Sequence, residues 1–190
     1  MLALSQAELT ILDWIAAHCH TLWLDNIVPF VTSLGNKGIL WILLALVLLA
    51  IPSQRSTGFQ VALALVFSVL LCNLILKNAV GRIRPFELAG ITELLISLPG
   101  DPSFPSGHTS ASFAAVTALI LDKHFLRWPC LIFGIFIALS RLYLYVHFPT
   151  DVAAGALLGI LCGLLAVTVW RRWLSPRLEK RRKSLTQESK

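Results

Sequence analysis

Phe104-Pro105-Ser106-Gly107-His108-Thr109 stands between two long apolar blocks. Pro105 ends an extended segment, Ser106 is a capping residue, Gly107 admits a ligand close to the main chain, and an Ala/Leu-rich run follows. The pattern predicts a turn that opens a helix. Free amides and the positive end of the helix dipole make such a terminus an anion site, and His108 adds a titratable group beside it. By itself a Ser-Gly-His turn is more often a plain capped helix start. Its neighbours favour the anion site.

Two further polar clusters interrupt apolar blocks: Lys77-Asn78-Ala79-Val80-Gly81-Arg82-Ile83-Arg84-Pro85, and Ser140-Arg141 through His147 to Asp151. Lys77 and Arg84 are seven apart, which returns a helix to nearly the same face two turns on, so both are expected to face one pocket. The competing reading is snorkelling of basic side chains to headgroups, and it is the one adopted for Arg82. Arg141, near the end of an apolar block, is costly there unless it is paired or lines a polar cavity. His147 and Asp151 are four apart and share a face if the segment coils. An Asp bonded to one imidazole nitrogen fixes the tautomer and leaves the other free to attack. An Asp in a first helical turn beside an interfacial His is the alternative.

In order, the clusters read K-x6-R-P, P-S-G-H and S-R-x5-H-x3-D. This ordered set resembles the type 2 phosphatidic acid phosphatases, whose site is shared with vanadium haloperoxidases and bacterial acid phosphatases. The motifs run from Lys77 to Asp151. The resemblance implies that Lys77, Arg84 and Arg141 hold phosphate oxygens, helped by Ser106 and the Gly107 amide. It implies that His147 attacks phosphorus to form a phosphohistidine, that Asp151 orients it, and that His108 protonates the leaving oxygen and then activates water. Three cations around a phosphoryl group supply positioning and charge stabilisation, so no metal and no cofactor are expected.

The rest of the chain fits an all-α, integral-membrane helical bundle. Hydrophobic residues make up 56% of its 190 residues and charged ones only 14%, too apolar for an ordinary soluble domain. Spans are predicted at about 38–52, 58–80, 107–122, 128–145 and 151–171, five in all, within one domain over 1–175. Residues 5–34 are read as interfacial helices: Ser5 and Glu8 make a capping-box pattern, apolar residues follow at helical spacing, and Trp14 and Trp23 are anchors. His18 and His20 lack a nearby third ligand. Asp151, Gly155, Gly159 and Gly163 form a small-residue face, read as internal packing rather than a dimer seam. Three of the four cysteines lie in predicted spans and read as small apolar residues. No basic residue precedes Lys37, so no signal-peptide n-region is read.

The net charge of +6 lies mostly in a basic tail over 176–190, which argues against a nucleic-acid partner. With the loop 81–105 outside, Arg55, Lys123, Arg127 and eight residues of the tail region fall inside. Lys37, Lys77, Arg82, Arg84 and Arg141 fall outside, eleven against five. The expected protein is a multi-pass cell-membrane enzyme, its active site extracytoplasmic and its C-terminus cytoplasmic. Its partners are membrane lipids and a lipid phosphate substrate. Undecaprenyl diphosphate is favoured, with phosphatidylglycerol phosphate and phosphatidic acid as alternatives. A non-catalytic lipid-binding or transport protein is opposed by the intact His108, His147 and Asp151. A haloperoxidase is opposed by the apolar spans.

Overall fold

A computed structural model describes residues 2–177, and the predicted basic tail lies outside the described residues from 178 onward. Among the described residues all regular elements are helical. Helix α1 covers Leu2–Cys19 and α2 covers Leu22–Leu34, with Trp14 and Trp23 exposed. The capping-box expectation fails: the helix begins before Ser5, and Ser5 and Glu8 are buried within it. The Glu8 carboxylate instead meets Arg82 and Thr150. His18 bonds the Trp14 carbonyl, and His20 pairs with Asp25.

Lys37 and Gly38, both at positive φ (52° and 71°), form the turn into α3, Ile39–Ala50. Helix α4, Arg55–Ser68, continues through a π-helical stretch, Val69–Leu76, into α5, Lys77–Val80. Gly81 then takes a left-handed conformation (φ 59°) and its amide bonds the Lys77 carbonyl, a glycine stop. A short α6, Pro85–Leu88, is followed by an irregular segment that leads to α7, Gly107–Leu121. Helices α8, Arg127–Tyr143, and α9, Pro149–Val169, complete the bundle.

Two helical runs, Pro52–Leu88 and Pro149–Arg177, are long and apolar enough to cross a membrane, and α2 with the run Asn36–Ala50 makes a third candidate bent by 40°. Helix α7 lies at the centre. Its buried Ala114, Ala115, Ala118 and Leu119 join Trp41, Val61, Cys162 and Ala166 from α3, α4 and α9 in one core. Outward faces carry Leu43, Leu46, Ile132, Leu139, Leu157 and Leu161, all exposed, as side chains that meet lipid do. The small-residue face of α9 lies against α7. A Cβ on Gly159 would stand 2.4 Å from the Ser110 carbonyl oxygen, and one on Gly155 would stand 2.7 Å from that of Ser106. That face is therefore occupied inside the chain, by backbone.

Candidate active site

Ser106 is the N-cap of α7, its hydroxyl accepting from the Thr109 amide, so Gly107 and His108 open the helix as the turn chemistry predicts. They face a cavity of about 1100 Å³ that is also lined by Lys77, Arg84, Arg141 and His147. Six of the eight predicted site residues therefore line one cavity. Ser106 and Asp151 lie behind it, fully buried. The Ser106 hydroxyl pairs with that of Thr109 at 2.9 Å.

Lys77 and Arg84 converge, but not along one helix face. Gly81 ends the helix between them, and Arg84 is extended (φ −78°, ψ 154°) because Pro85 disfavours helical backbone before it. Arg84 Nη1 donates to the Val146 carbonyl at 2.7 Å and lies 3.4 Å from His147 Nε2. Arg141 Nη1 donates to Thr32 Oγ1 at 2.8 Å, while its Nε is buried without a partner.

His147 reaches the site through a break after α8. Tyr145 takes a positive φ of 59°, Val146 N bonds the Arg141 carbonyl, and the Tyr145 hydroxyl donates to Asp13 at 2.6 Å. Pro149 then starts α9. Asp151 takes the first-turn position and only approaches His147, whose Nδ1 is buried without a hydrogen-bond partner among the described residues. Its Oδ2 accepts from the Phe148 amide at 2.8 Å in the first turn, and the same oxygen faces His147 Nδ1 at 3.6 Å. That separation exceeds a hydrogen bond, because Ser103 Oγ also holds Oδ2. Burial presses the His147 imidazole down to about 3, and Arg84 and Arg141 press the same way against the pull of Asp151. The ring is therefore neutral near pH 7, as a nucleophile must be.

Snorkelling is wrong for Arg82. Its guanidinium is nearly buried and donates to Asp151 Oδ1 at 2.6 Å and to Glu8 Oε2 at 2.5 Å, with Phe148 stacked 3.9 Å away. Two buried carboxylates need a cation more than the headgroups do. Arg82→Gln is expected to lower stability by about 3–5 kcal/mol, since it strands both carboxylates. Thermal unfolding in detergent checks this, and adding Glu8→Gln should recover part of the loss.

Sequence reasoning also missed Asn36, whose Oδ1 lies 3.0 Å from His108 Nε2, and Asp101. Asp101 Oδ2 contacts Lys77 Nζ, and Oδ1 accepts from Arg84 Nη2 at 2.8 Å. Partial burial would raise the Asp101 carboxyl, but Lys77 and Arg84 outweigh it and hold it near 2. Neither residue belongs to a periodic pattern. The sequence signal for Asp101 is no more than a third acid, after Glu87 and Glu93, in a proline-rich loop.

The sequence and the fold have counterparts. The chain is 31% identical to an undecaprenyl-diphosphatase of Sulfolobus acidocaldarius over 147 residues, 77% of this chain and 70% of that one. It is 29% identical to undecaprenyl-diphosphatase BcrC of Bacillus subtilis over 146 residues, 77% of this chain and 75% of the relative. The crystal structure of Aquifex aeolicus LpxE superposes with a TM-score of 0.72 at 27% identity, covering 84% of this chain and 94% of that one. The family model of the PAP2 superfamily matches residues 57–175, which include all three polar clusters, and the chain belongs to that superfamily.

Proposed function

We propose that this protein is a metal-independent membrane phosphatase that hydrolyses undecaprenyl diphosphate to undecaprenyl phosphate through a phosphohistidine on His147. One observation carries the reading: the cavity-facing nitrogen of a neutral, buried imidazole sits among Lys77, Arg84 and Arg141, with Asp151 behind its other nitrogen. The cations and the Gly107 amide hold the terminal phosphate. His147 Nε2 attacks phosphorus, and the bond to the bridging oxygen breaks. His108, held by Asn36, gives its proton to the leaving lipid phosphate. It then takes a proton from water, which attacks phosphorus, breaks the P–N bond and releases inorganic phosphate. The diphosphate is supported by the two relatives that carry that activity in their names. A monoester substrate is the second reading, favoured by 33% identity to phosphatidylglycerophosphatase B of Bacillus subtilis. Phosphate release by the purified protein across undecaprenyl diphosphate, phosphatidylglycerol phosphate and phosphatidic acid, all in excess EDTA, tests both. Full activity in chelator with the highest kcat/KM on the diphosphate is expected. Loss in EDTA and recovery with Mg²⁺ would overturn the metal-free mechanism.

Five spans are proposed, on α3, α4 with its π-helical continuation, α7, α8 and α9. The exposed apolar residues of α3, α8 and α9 support this, and so does the meeting of residues from all three polar clusters in one cavity. The sequence count of eleven basic residues against five supports an extracytoplasmic site. A cysteine at Ser97, in a background without native cysteines, should react with an impermeant reagent in intact cells. Reaction only after lysis would reverse the orientation.

A further inference from the structure

Two of the three cavity cations already hold an anion, and it is a side chain of the protein. Lys77 and Arg84 are almost fully buried and share the two oxygens of Asp101, one each, while the Asp101 side chain is 54% exposed. Arg141, the third, has no carboxylate partner among the described residues. We infer that Asp101 is an internal placeholder for phosphate: its carboxylate occupies the Lys77–Arg84 cradle until substrate displaces it, and it returns to compete with product.

The local construction supports displacement over a fixed strut. Arg84 Nε donates to the Asp101 main-chain carbonyl at 2.7 Å, so the loop keeps an anchor when the carboxylate swings away. The open side of Asp101 faces solvent, where a carboxylate is well hydrated. The cations have no such outlet and need an anion at all times. A phosphate offers more charge and more oxygens than a carboxylate, and it reaches Arg141 as well. The placeholder therefore costs every ligand the same increment. It leaves the ratios between ligands unchanged but lowers every affinity, so that inorganic phosphate, which would otherwise remain bound after each turnover, is released.

The inference rests on Lys77 and Arg84 binding phosphate, and the test separates the two. Inhibition of lipid diphosphate hydrolysis by orthovanadate and by inorganic phosphate is measured for the purified full chain. Asp101→Asn, which keeps the shape and removes the charge, should tighten both inhibitors about tenfold, the equivalent of two partly exposed ion pairs. Asp101→Ala repeats the measurement without the amide. Glu93→Gln removes the same charge from the same loop away from the cradle, and should change inhibition by no more than about twofold because that charge is screened. Unchanged or weaker inhibition in both Asp101 variants would make Asp101 a strut for the cations and overturn the inference while leaving the phosphate site intact. A tightening by Glu93→Gln equal to that by Asp101→Asn would reduce the effect to general repulsion and overturn it too. A wild type indifferent to vanadate, and unaltered by Arg84→Ala, would remove the phosphate site and the inference together.

Discussion

His147→Ala is expected to reduce turnover to background on every substrate and to leave no phosphoenzyme. The ring sits where nothing can replace it: it is 2% exposed, its Nε2 is 3.4 Å from Arg84, and Asp151 closes its rear. Water that enters the vacated space would still meet the cations, but without a covalent step the displacement must proceed in one difficult stage. Alkaline quench of the wild type on a labelled diphosphate should retain label on protein, because a phosphohistidine survives base. The variant should retain none. A variant that still accumulates label would place the covalent bond elsewhere.

His108→Ala should behave differently, and the difference depends on the leaving group. A lipid alkoxide needs a proton to depart, and general acid help is worth about 10²–10⁴-fold. The variant should lose about that much on a lipid monophosphate and clearly less on p-nitrophenyl phosphate, whose leaving group departs unaided. Asn36 holds His108 at 3.0 Å, so Asn36→Ala should show the same pattern in milder form. Equal losses on both substrates would remove the acid role from His108. Turnover surviving in the His147 variant but not in the His108 variant would exchange the two roles.

Much of the site was legible because its residues sit at chain positions with strong local meaning. Ser106 and Gly107 open a helix as their turn chemistry dictates, and His147 and Asp151 are brought together by the start of α9. What escaped depends on long-range pairing. Arg82 looked like a headgroup anchor because its partners, Glu8 and Asp151, lie 74 and 69 residues away. Glu8 looked like half of a capping box for the same reason. The helical link between Lys77 and Arg84 failed on one glycine: Gly81 ends the helix before a proline-restrained Arg84, yet both side chains still reach the same cavity. An apolar run marks helices such as α4, α7, α8 and α9. It says nothing about which polar residue of a loop will meet which cation.

The glycine face of α9 has a mechanical consequence. With Gly155 and Gly159 set directly on the α7 backbone, neither helix can slide or roll against the other without main-chain atoms colliding. His108 on α7 and His147 at the head of α9 therefore travel as one body. The remaining wall, made of α2, the Gly35–Gly38 turn and the segment before α7, is joined to them by side-chain clasps: Thr32 to Arg141, Asn36 to His108, and Asp101 to Lys77 and Arg84. Each clasp ends on a site residue. A substrate that parts this wall releases those residues in the same motion, so entry and the readying of the catalytic groups become a single event.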